Sequence, residues 1–268
     1  MDPSTGARVA AFFDLDKTVI AKSSLLAFSR PFFQEGLINR RAVLKSAYAQ
    51  FVFMQSGADA DQIERMRQHI TALCAGWDVG QVRAIVEETL HDIVDPLVYK
   101  EATQLIADHR AAGHDVVVVS ASGHEIVAPI ADMLGATQCL ATRMVVADGR
   151  YTGEVDFYCY AENKAVAIKQ LAAANGYDLA QCHAYSDSAT DEPMLAVVGH
   201  PTAVNPDRAL RKVAAQQAWP VLTFSDPVSL RGRIPTPSGT AVAVTAVGLG
   251  AVAAAGVAWY GIRRRRRA

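Results

Sequence analysis

The pattern that most constrains the fold of this chain is an alternation of short apolar strands with helices. The clearest strand is the β-branched run DVVVVS at 115–120, which lies between helical segments at 101–112 and 124–135. A continuous apolar run of this length is typical of a strand buried on both faces of a parallel sheet. Because alternating strands and helices form right-handed βαβ units, the sequence predicts an α/β fold with a doubly wound, Rossmann-like parallel sheet.

Other strand signals extend this pattern along the chain. We predict further strands at 9–13, 182–186, 202–205 and 221–224. The dipeptide Asp148–Gly149 lies between two alternating runs, which is a signal for a β-hairpin. In doubly wound sheets ligands bind at the carboxyl ends of the strands, so the polar residues that follow these strands are the candidates for a site.

One block, 22–96, has no strand signal and interrupts the alternation. Its apolar residues recur at steps of three and four, as between Ile63 and Trp77, and this spacing predicts helices with one apolar face. The sequence therefore predicts a core formed by 1–21 and 97–230, with a small helical cap inserted after the first strand.

The C-terminal end differs in composition from the rest of the chain. After a linker at 231–239, the segment 240–262 has no charged residue, and a basic tail with five arginines occupies 263–268. As a helix its 22 residues from Ala241 to Ile262 would be about 33 Å long, close to the roughly 30 Å core of a bilayer. It predicts a single transmembrane helix and a lipid bilayer as partner; a buried Ala/Gly-rich helix is the alternative.

Charge and residue spacing limit where the protein can be located and what it can bind. The arginine tail favours a cytoplasmic C-terminus, but Arg231 and Arg233 flank the other end, and no signal peptide is visible, so we expect the main domain on the cytoplasmic side of a membrane. A net charge of -1 gives no reason to expect nucleic acid as a partner. Neither the cysteines nor the histidines show the spacing of a metal or disulfide site.

Four groups of polar residues lie at or near the predicted strand ends. Taken singly, each is typical of a turn, a helix cap or a solvated side chain. Taken together, they would converge on one edge of the sheet, which the ordinary interpretations do not explain. The groups are Asp14, Asp16 and Thr18; Ser120; Lys164; and Asp187 with Asp191.

These residue types fit phosphoryl transfer. A carboxylate can attack phosphorus and form an acyl phosphate, which water later cleaves. However, a phosphate beside several carboxylates is repulsive, by about 4 kcal/mol for each pair of like charges at 4 Å in an effective dielectric of 20. Lys164 alone cannot offset several such pairs. A hard divalent cation with oxygen ligands can, so we expect Mg²⁺ as cofactor.

The sequence resembles the haloacid dehalogenase superfamily of phosphatases. DLDKT at 14–18, VVVVSAS at 116–122, the later lysine and YSDSATDEPML at 185–195 resemble its four motifs. The helical insert resembles the small cap of the phosphoserine-phosphatase-like branch, as does DGRYTGE at 148–154. The resemblance implies a phosphatase with this cap and an aspartyl-phosphate intermediate.

The resemblance also implies roles for individual residues. Asp14 would be the nucleophile, Asp16 the general acid and then base, and Lys164 would steady Asp14 and the phosphate. Ser120 and Thr18 would form the phosphate-binding part of the site. Asp14, Asp16 and Asp187 would hold the metal, and Asp191 would support it.

The substrate and the chemistry leave several alternatives. Asp16 favours phosphate esters over carbon–halogen bonds, because the dehalogenases lack this second acid. Ser23 stands where phosphoserine phosphatases have a glutamate that binds the ammonium group, which argues against phosphoserine. We expect a small phosphorylated metabolite or a lipid-derived phosphate. A phosphotransferase with the same residues, or a membrane-attached regulatory protein that keeps the fold, are the alternatives.

Overall fold

The structure is a computed structural model that describes residues 8–38, 71–225 and 227. The chain divides into two compact units, 1–229 and 230–268, and the described residues all belong to the first.

Seven strands within the described residues form one sheet in the order β4-β3-β2-β1-β5-β6-β7. All neighbouring strands are parallel except β3 and β4, which are antiparallel. The strands are β1 (Ala10–Asp14), β2 (Asp115–Gly123), β3 (Gln138–Ala147), β4 (Arg150–Phe157), β5 (His183–Ser186), β6 (His200–Val204) and β7 (Val221–Leu222).

The α-helices follow or separate these strands, as the βαβ pattern requires. Three of them, together with helical residues at 71–74, belong to the predicted cap: α1 (Ser24–Ala27), α2 (Ser29–Gln34) and α3 (Val79–Val94). The others are α4 (Lys100–Ala111), α5 (His124–Met133), α6 (Glu162–Asn175), α7 (Glu192–Ala196) and α8 (Arg208–Gln217). Short 3₁₀ turns lie at Asp95–Leu97 and Ala189–Asp191.

The central strands are apolar on both faces because helices cover both sides of the sheet. Phe13 and Val118 point into a cluster with Ile106 of α4, whereas Phe12 and Val117 point into a second cluster with Ile168 of α6. Successive side chains of a strand point to opposite faces, so a continuous apolar run serves both clusters. The prediction of a doubly wound, Rossmann-like parallel sheet is confirmed.

The predicted hairpin at Asp148–Gly149 joins β3 and β4, where Ala147 pairs with Arg150. Both turn residues have positive φ, 50° for Asp148 and 74° for Gly149. A two-residue turn with this backbone matches the twist of the flanking strands, and aspartate and glycine are among the residues that tolerate it best.

The described part of the insert packs on the sheet through its apolar side chains. Phe32 of α2 and Val86 of α3 are buried in the same cluster as Phe13. Residues 39–70, which include Ile63 on the predicted apolar face, lie outside the described residues. The boundaries 1–21, 22–96 and 97–230 therefore stay a prediction.

The predicted membrane anchor is wrong as a part of this fold. In the part of the chain that the structure describes, no helix is both long and apolar enough to cross a bilayer. The segment 240–262, with its linker at 231–239 and tail at 263–268, lies outside that part. The prediction rested on the absence of charge, but Ala and Gly contribute little apolar area, so a charge-free run alone does not make a membrane span. The membrane location and the bilayer as partner are corrected with it.

Candidate active site

The switch point of the sheet lies between β1 and β5. From β1 the chain continues outwards through β2 and β3, and it later returns to β5 and continues outwards on the other side through β6. Phe13 pairs with Tyr185, so Asp14 lies beside Ser186, and Asp187 follows at once. Ligands bind in the crevice at such a point, outside the carboxyl ends of the strands.

Lys164 joins the acids of the site. Its ammonium Nζ donates to Asp14 Oδ1 and to Asp191 Oδ2, at 2.7 Å in both cases. The side chains of Lys164, Asp14 and Asp191 are only 3%, 8% and 4% exposed. Ser186 Oγ donates a further hydrogen bond of 2.7 Å to Asp191 Oδ2. Because Lys164 lies in the first turn of α6, that helix fixes the position of the cation at the end of β1.

The site carries more negative charge than Lys164 can balance. The pKa of Asp14 is raised to about 8, mainly by burial; Asp191 and Asp187 contribute to this rise and Lys164 opposes it. Burial likewise raises the pKa of Asp187 to about 6, with Lys17 lowering it and Asp191 raising it. Burial alone would lower the pKa of Lys164, but Asp14 and Asp191 outweigh it, so its pKa is raised and the ammonium stays charged.

The raised pKa of Asp14 predicts that Asp14→Asn stabilises the metal-free protein at alkaline pH. The pKa of Asp14 is about 8 in the folded state against an ordinary value of 3.8, so between these values the folded state holds a proton that the unfolded state lacks. Stability then falls as the pH rises through this window. The amide of the variant cannot ionise, so at pH 8 in EDTA we expect a gain of at least about 1 kcal/mol, or roughly 2–4 °C in Tm.

Thermal unfolding at pH 5 and pH 8 checks this, with Asp156→Asn as the matched control. Asp156 is exposed on β4 and pairs with Arg143, far from Asp14 along the sheet order. If Asp14→Asn lowered Tm at pH 8 as much as at pH 5, the raised pKa of Asp14 in the metal-free protein would be refuted.

A turn after β1 places Thr18 against Asp14. Thr18 Oγ1 donates to Asp14 Oδ2 at 3.1 Å, and Thr18 is fully buried. The amides of Val19 and Ile20 both donate to the carbonyl of Leu15, which closes the turn. The contact indicates that Thr18 orients the Asp14 carboxylate, so the structure places it behind Asp14 instead of on an open face.

Asp16 lies at the same edge but has different partners. Its Oδ1 accepts a hydrogen bond of 2.8 Å from the amide of Ser24, and its Oδ2 accepts one of 3.4 Å from Ser122 Oγ. The amide of Ser122 donates in turn to Ser120 Oγ, at 3.1 Å. Asp14 and Asp16 are therefore two carboxylates in different environments, one bound to an ammonium and one bound to neutral donors.

Three serines at this edge were missed by the sequence reasoning. Ser24 Oγ and Ser122 Oγ lie 2.8 Å apart and tie the start of the insert to the end of β2. Ser186 holds Asp191. The only signal in the sequence is the position of Ser122 two residues after Ser120, hence on the same face of an extended strand. Serines are too common for this signal to have been decisive.

A cavity of about 240 Å³ adjoins Asp16 through Ser122. It lies between the described part of the insert and the sheet edge, and apolar side chains form most of its wall. The lining includes Leu25, Phe32, Trp77, Met144 and Tyr151, with Ser23, Ser122 and Glu125 among its polar members.

The oxygen donors at the edge fit a hard divalent cation. The side chains of Asp14 and Asp187 and the main-chain carbonyl of Asp16 are the types of ligand that Mg²⁺ prefers. The pKa values of Asp14 and Asp187 are raised mainly by burial and also by neighbouring acids, and a bound cation would oppose both effects.

Known proteins have similar sequences. Residues 11–196 match the family model described as haloacid dehalogenase-like hydrolase. A relative from Mycobacterium tuberculosis (strain ATCC 25618 / H37Rv), named a probable phosphatase, is 67% identical over 259 residues, which cover 96% of this chain and 90% of the relative. A phosphoserine phosphatase of the same strain is 33% identical over 253 residues, which cover 94% of this chain and 82% of the relative.

The fold has a solved counterpart as well. A substrate-bound phosphoserine phosphatase superposes with a TM-score of 0.59 at 20% identity, covering 85% of this chain and 97% of that chain. At this identity the likeness shows the shared fold. These matches confirm the prediction that the chain is a phosphatase related to phosphoserine phosphatases. The chain therefore belongs to the haloacid dehalogenase-like hydrolase family.

Proposed function

We propose that the chain hydrolyses small phosphate monoesters with Mg²⁺, through a phosphoryl group carried on Asp14. The observation that supports this most strongly is the buried contact of Asp14 with Lys164 at the switch point, beside Asp187 and Asp191. A carboxylate held there by a fixed ammonium is oriented for attack, and the crevice gives a phosphate access to it.

Asp14 and Asp16 divide the chemistry. In the first half, Asp14 attacks phosphorus, the ester P–O bond breaks, and Asp16 gives its proton to the leaving oxygen. In the second half, Asp16 takes a proton from a water molecule whose oxygen attacks phosphorus, and the bond to Asp14 breaks. The products are an alcohol and inorganic phosphate. The two carboxylates have different partners for these different tasks: Asp14 contacts the ammonium of Lys164, and Asp16 accepts hydrogen bonds from the neutral donors Ser24 and Ser122.

Other residues bind and position the phosphate. Lys164 would supply a positive charge beside Asp14 in both halves, and Ser120, three residues before the end of β2, would hold phosphoryl oxygens together with nearby amides. Mg²⁺, held by Asp14, Asp187 and the carbonyl of Asp16, would supply the remaining neutralisation of the phosphate charge. Asp191 acts through Lys164 and Ser186.

The cavity next to Asp16 is where we place the leaving group. Its wall is largely apolar, and Ser23 contributes a neutral hydroxyl. The hydroxyl of Ser23 does not attract an ammonium group as a carboxylate does, and the carboxylate of Glu125 in the wall already pairs with Arg83 at 3.6 Å. We therefore propose a substrate other than phosphoserine, despite the name of one relative.

Trapping of the acyl phosphate tests the proposal. Wild-type protein mixed with an aryl phosphate and Mg²⁺, then stopped in acid, should carry one phosphoryl group on the peptide that contains Asp14, as measured by mass spectrometry. Neutral hydroxylamine should remove it, because acyl phosphates react with this nucleophile and serine or threonine phosphates do not. Asp156→Asn should label like wild type, and phosphate release with a label on any other residue would refute the role of Asp14.

A further inference from the structure

Four histidines gather at the amino-terminal edge of the sheet, the edge opposite Asp14. His109 lies near the end of α4 and His114 just before β2, while His183 and His200 begin β5 and β6. Because these strands are parallel, their starts lie on one edge, and His183 pairs directly with His200. Residues that are distant in the sequence thus form one cluster.

Three of these histidines bring ring nitrogens close together. The Nδ1 atoms of His109 and His114 are 2.9 Å apart. The ring of His183 has its centroid 4.6 Å from that of His109 and 5.6 Å from that of His114. One nitrogen from each of the three lies within 4.8 Å of the other two. A zinc ion at about 2.1 Å from each would need them roughly 3.4 Å apart, so modest side-chain rotations would close the site.

The ring of His109 is already held in the orientation that a metal ligand needs. Its Nε2 lies 2.7 Å from the hydroxyl of Tyr185, in a buried contact. When Nε2 donates to this hydroxyl, Nδ1 carries the lone pair and faces His114. Metal-binding histidines usually donate their other N–H to a protein group in this way.

The cluster is also accessible from one side. His109 is buried, whereas His114 and His183 are half-buried and His200 is exposed. The rings of His183 and His200 stack at 4.6 Å, which limits the orientations of His183. A cation could therefore enter from solvent and keep a water molecule as its fourth ligand.

We propose that His109, His114 and His183 form a binding site for a divalent transition-metal cation, with Zn²⁺ as the best fit. Three imidazoles with one open position are a common tetrahedral zinc set, whereas Mg²⁺ prefers oxygen. In the bound form His114 carries its proton on Nε2 and ligates through Nδ1, so its ring stays neutral. This site is separate from the acids at the other edge and does not depend on the proposed phosphatase chemistry.

Zinc titration of the full chain tests the site. The protein, freed of any affinity tag and stripped of metal, is titrated with Zn²⁺ by calorimetry in excess Mg²⁺, in wild type and in Asp14→Asn. We expect one equivalent of zinc in both proteins, with Kd in the micromolar range or tighter. His183→Ala and His114→Ala should weaken zinc binding at least about 100-fold. Tyr185→Phe should weaken it about 10-fold, as is usual when a metal-binding histidine loses its hydrogen-bond partner.

His91→Ala is the matched control, because His91 is an exposed histidine on α3 that pairs with Asp95 away from the cluster. It should leave zinc binding unchanged. Co²⁺ should give the intense visible bands of a tetrahedral site in wild type, and these should disappear in His183→Ala. Circular dichroism confirms that each variant is folded. The proposal would be overturned if wild type bound no zinc, or if one equivalent of zinc still bound to both His114→Ala and His183→Ala.

Discussion

Asp14→Asn should lower kcat for phosphate-ester hydrolysis on the order of 10³-fold or more, because the amide cannot form the acyl phosphate. In the described residues Asp14 is the carboxylate at the end of β1 that Lys164 and Thr18 hold from two sides. The variant side chain keeps the shape and can still accept from Lys164, so the loss would report the nucleophile and not a collapse of the site. Steady-state hydrolysis of an aryl phosphate with Mg²⁺ is the measurement.

The comparison with Asp156→Asn separates chemistry from general damage. Asp156 is exposed and pairs with Arg143, so its change to asparagine should leave kcat within about twofold. The Asp14→Asn variant should also remain folded, since its Tm in EDTA at pH 8 is expected to rise. Equal rates for wild type and Asp14→Asn would remove Asp14 from the role of nucleophile.

Removal of divalent metal should also lower the turnover rate by about 10³-fold or more. The phosphate brings negative charge to a site where Asp14, Asp187 and Asp191 already exceed the charge of Lys164. The metal must offset several kcal/mol of repulsion between the phosphate and these acids, and each 1.36 kcal/mol of activation free energy changes the rate tenfold. EDTA followed by dialysis, then assay with and without added Mg²⁺, measures the effect.

Asp187→Asn tests the same dependence from the protein side. We expect the Mg²⁺ concentration for half-maximal activity to rise at least about tenfold, because one negatively charged ligand is lost, while Asp156→Asn leaves it unchanged. Full activity after chelation, or an unchanged Mg²⁺ requirement in Asp187→Asn, would rule out a metal held by these residues.

Most of the sheet could be predicted because its signals are local. The run Val116–Val119 is buried on both faces, and Asp148–Gly149 takes the positive φ angles that its residue types tolerate. The polar residues at the strand ends could be listed in advance because parallel strands end on one edge. Their contacts with one another could not, since β5 follows β1 by about 170 residues and only the register of the sheet sets their approach.

The sequence misled at the C-terminus for a related reason. The lack of charge in 240–262 is a local property, and it predicted a membrane span that no helix of the described residues supports. Whether an apolar segment spans a bilayer depends on how much apolar area it offers, and Ala and Gly offer little. The histidines are a similar case. Their spacing in the sequence does not indicate a metal site, although three of them meet in the folded chain.

Local sequence patterns were enough to predict the layer architecture, the strand ends that carry the acids, and the family. The periodicity of strands and helices and the short motifs all depend on residues that are close together in the sequence. The folded chain was needed to find that Lys164 bridges Asp14 and Asp191, that Ser24 meets Ser122, and that the histidines cluster at the far edge. Those contacts join segments up to 150 positions apart. Their distances follow from strand pairing and helix packing, which no local pattern contains.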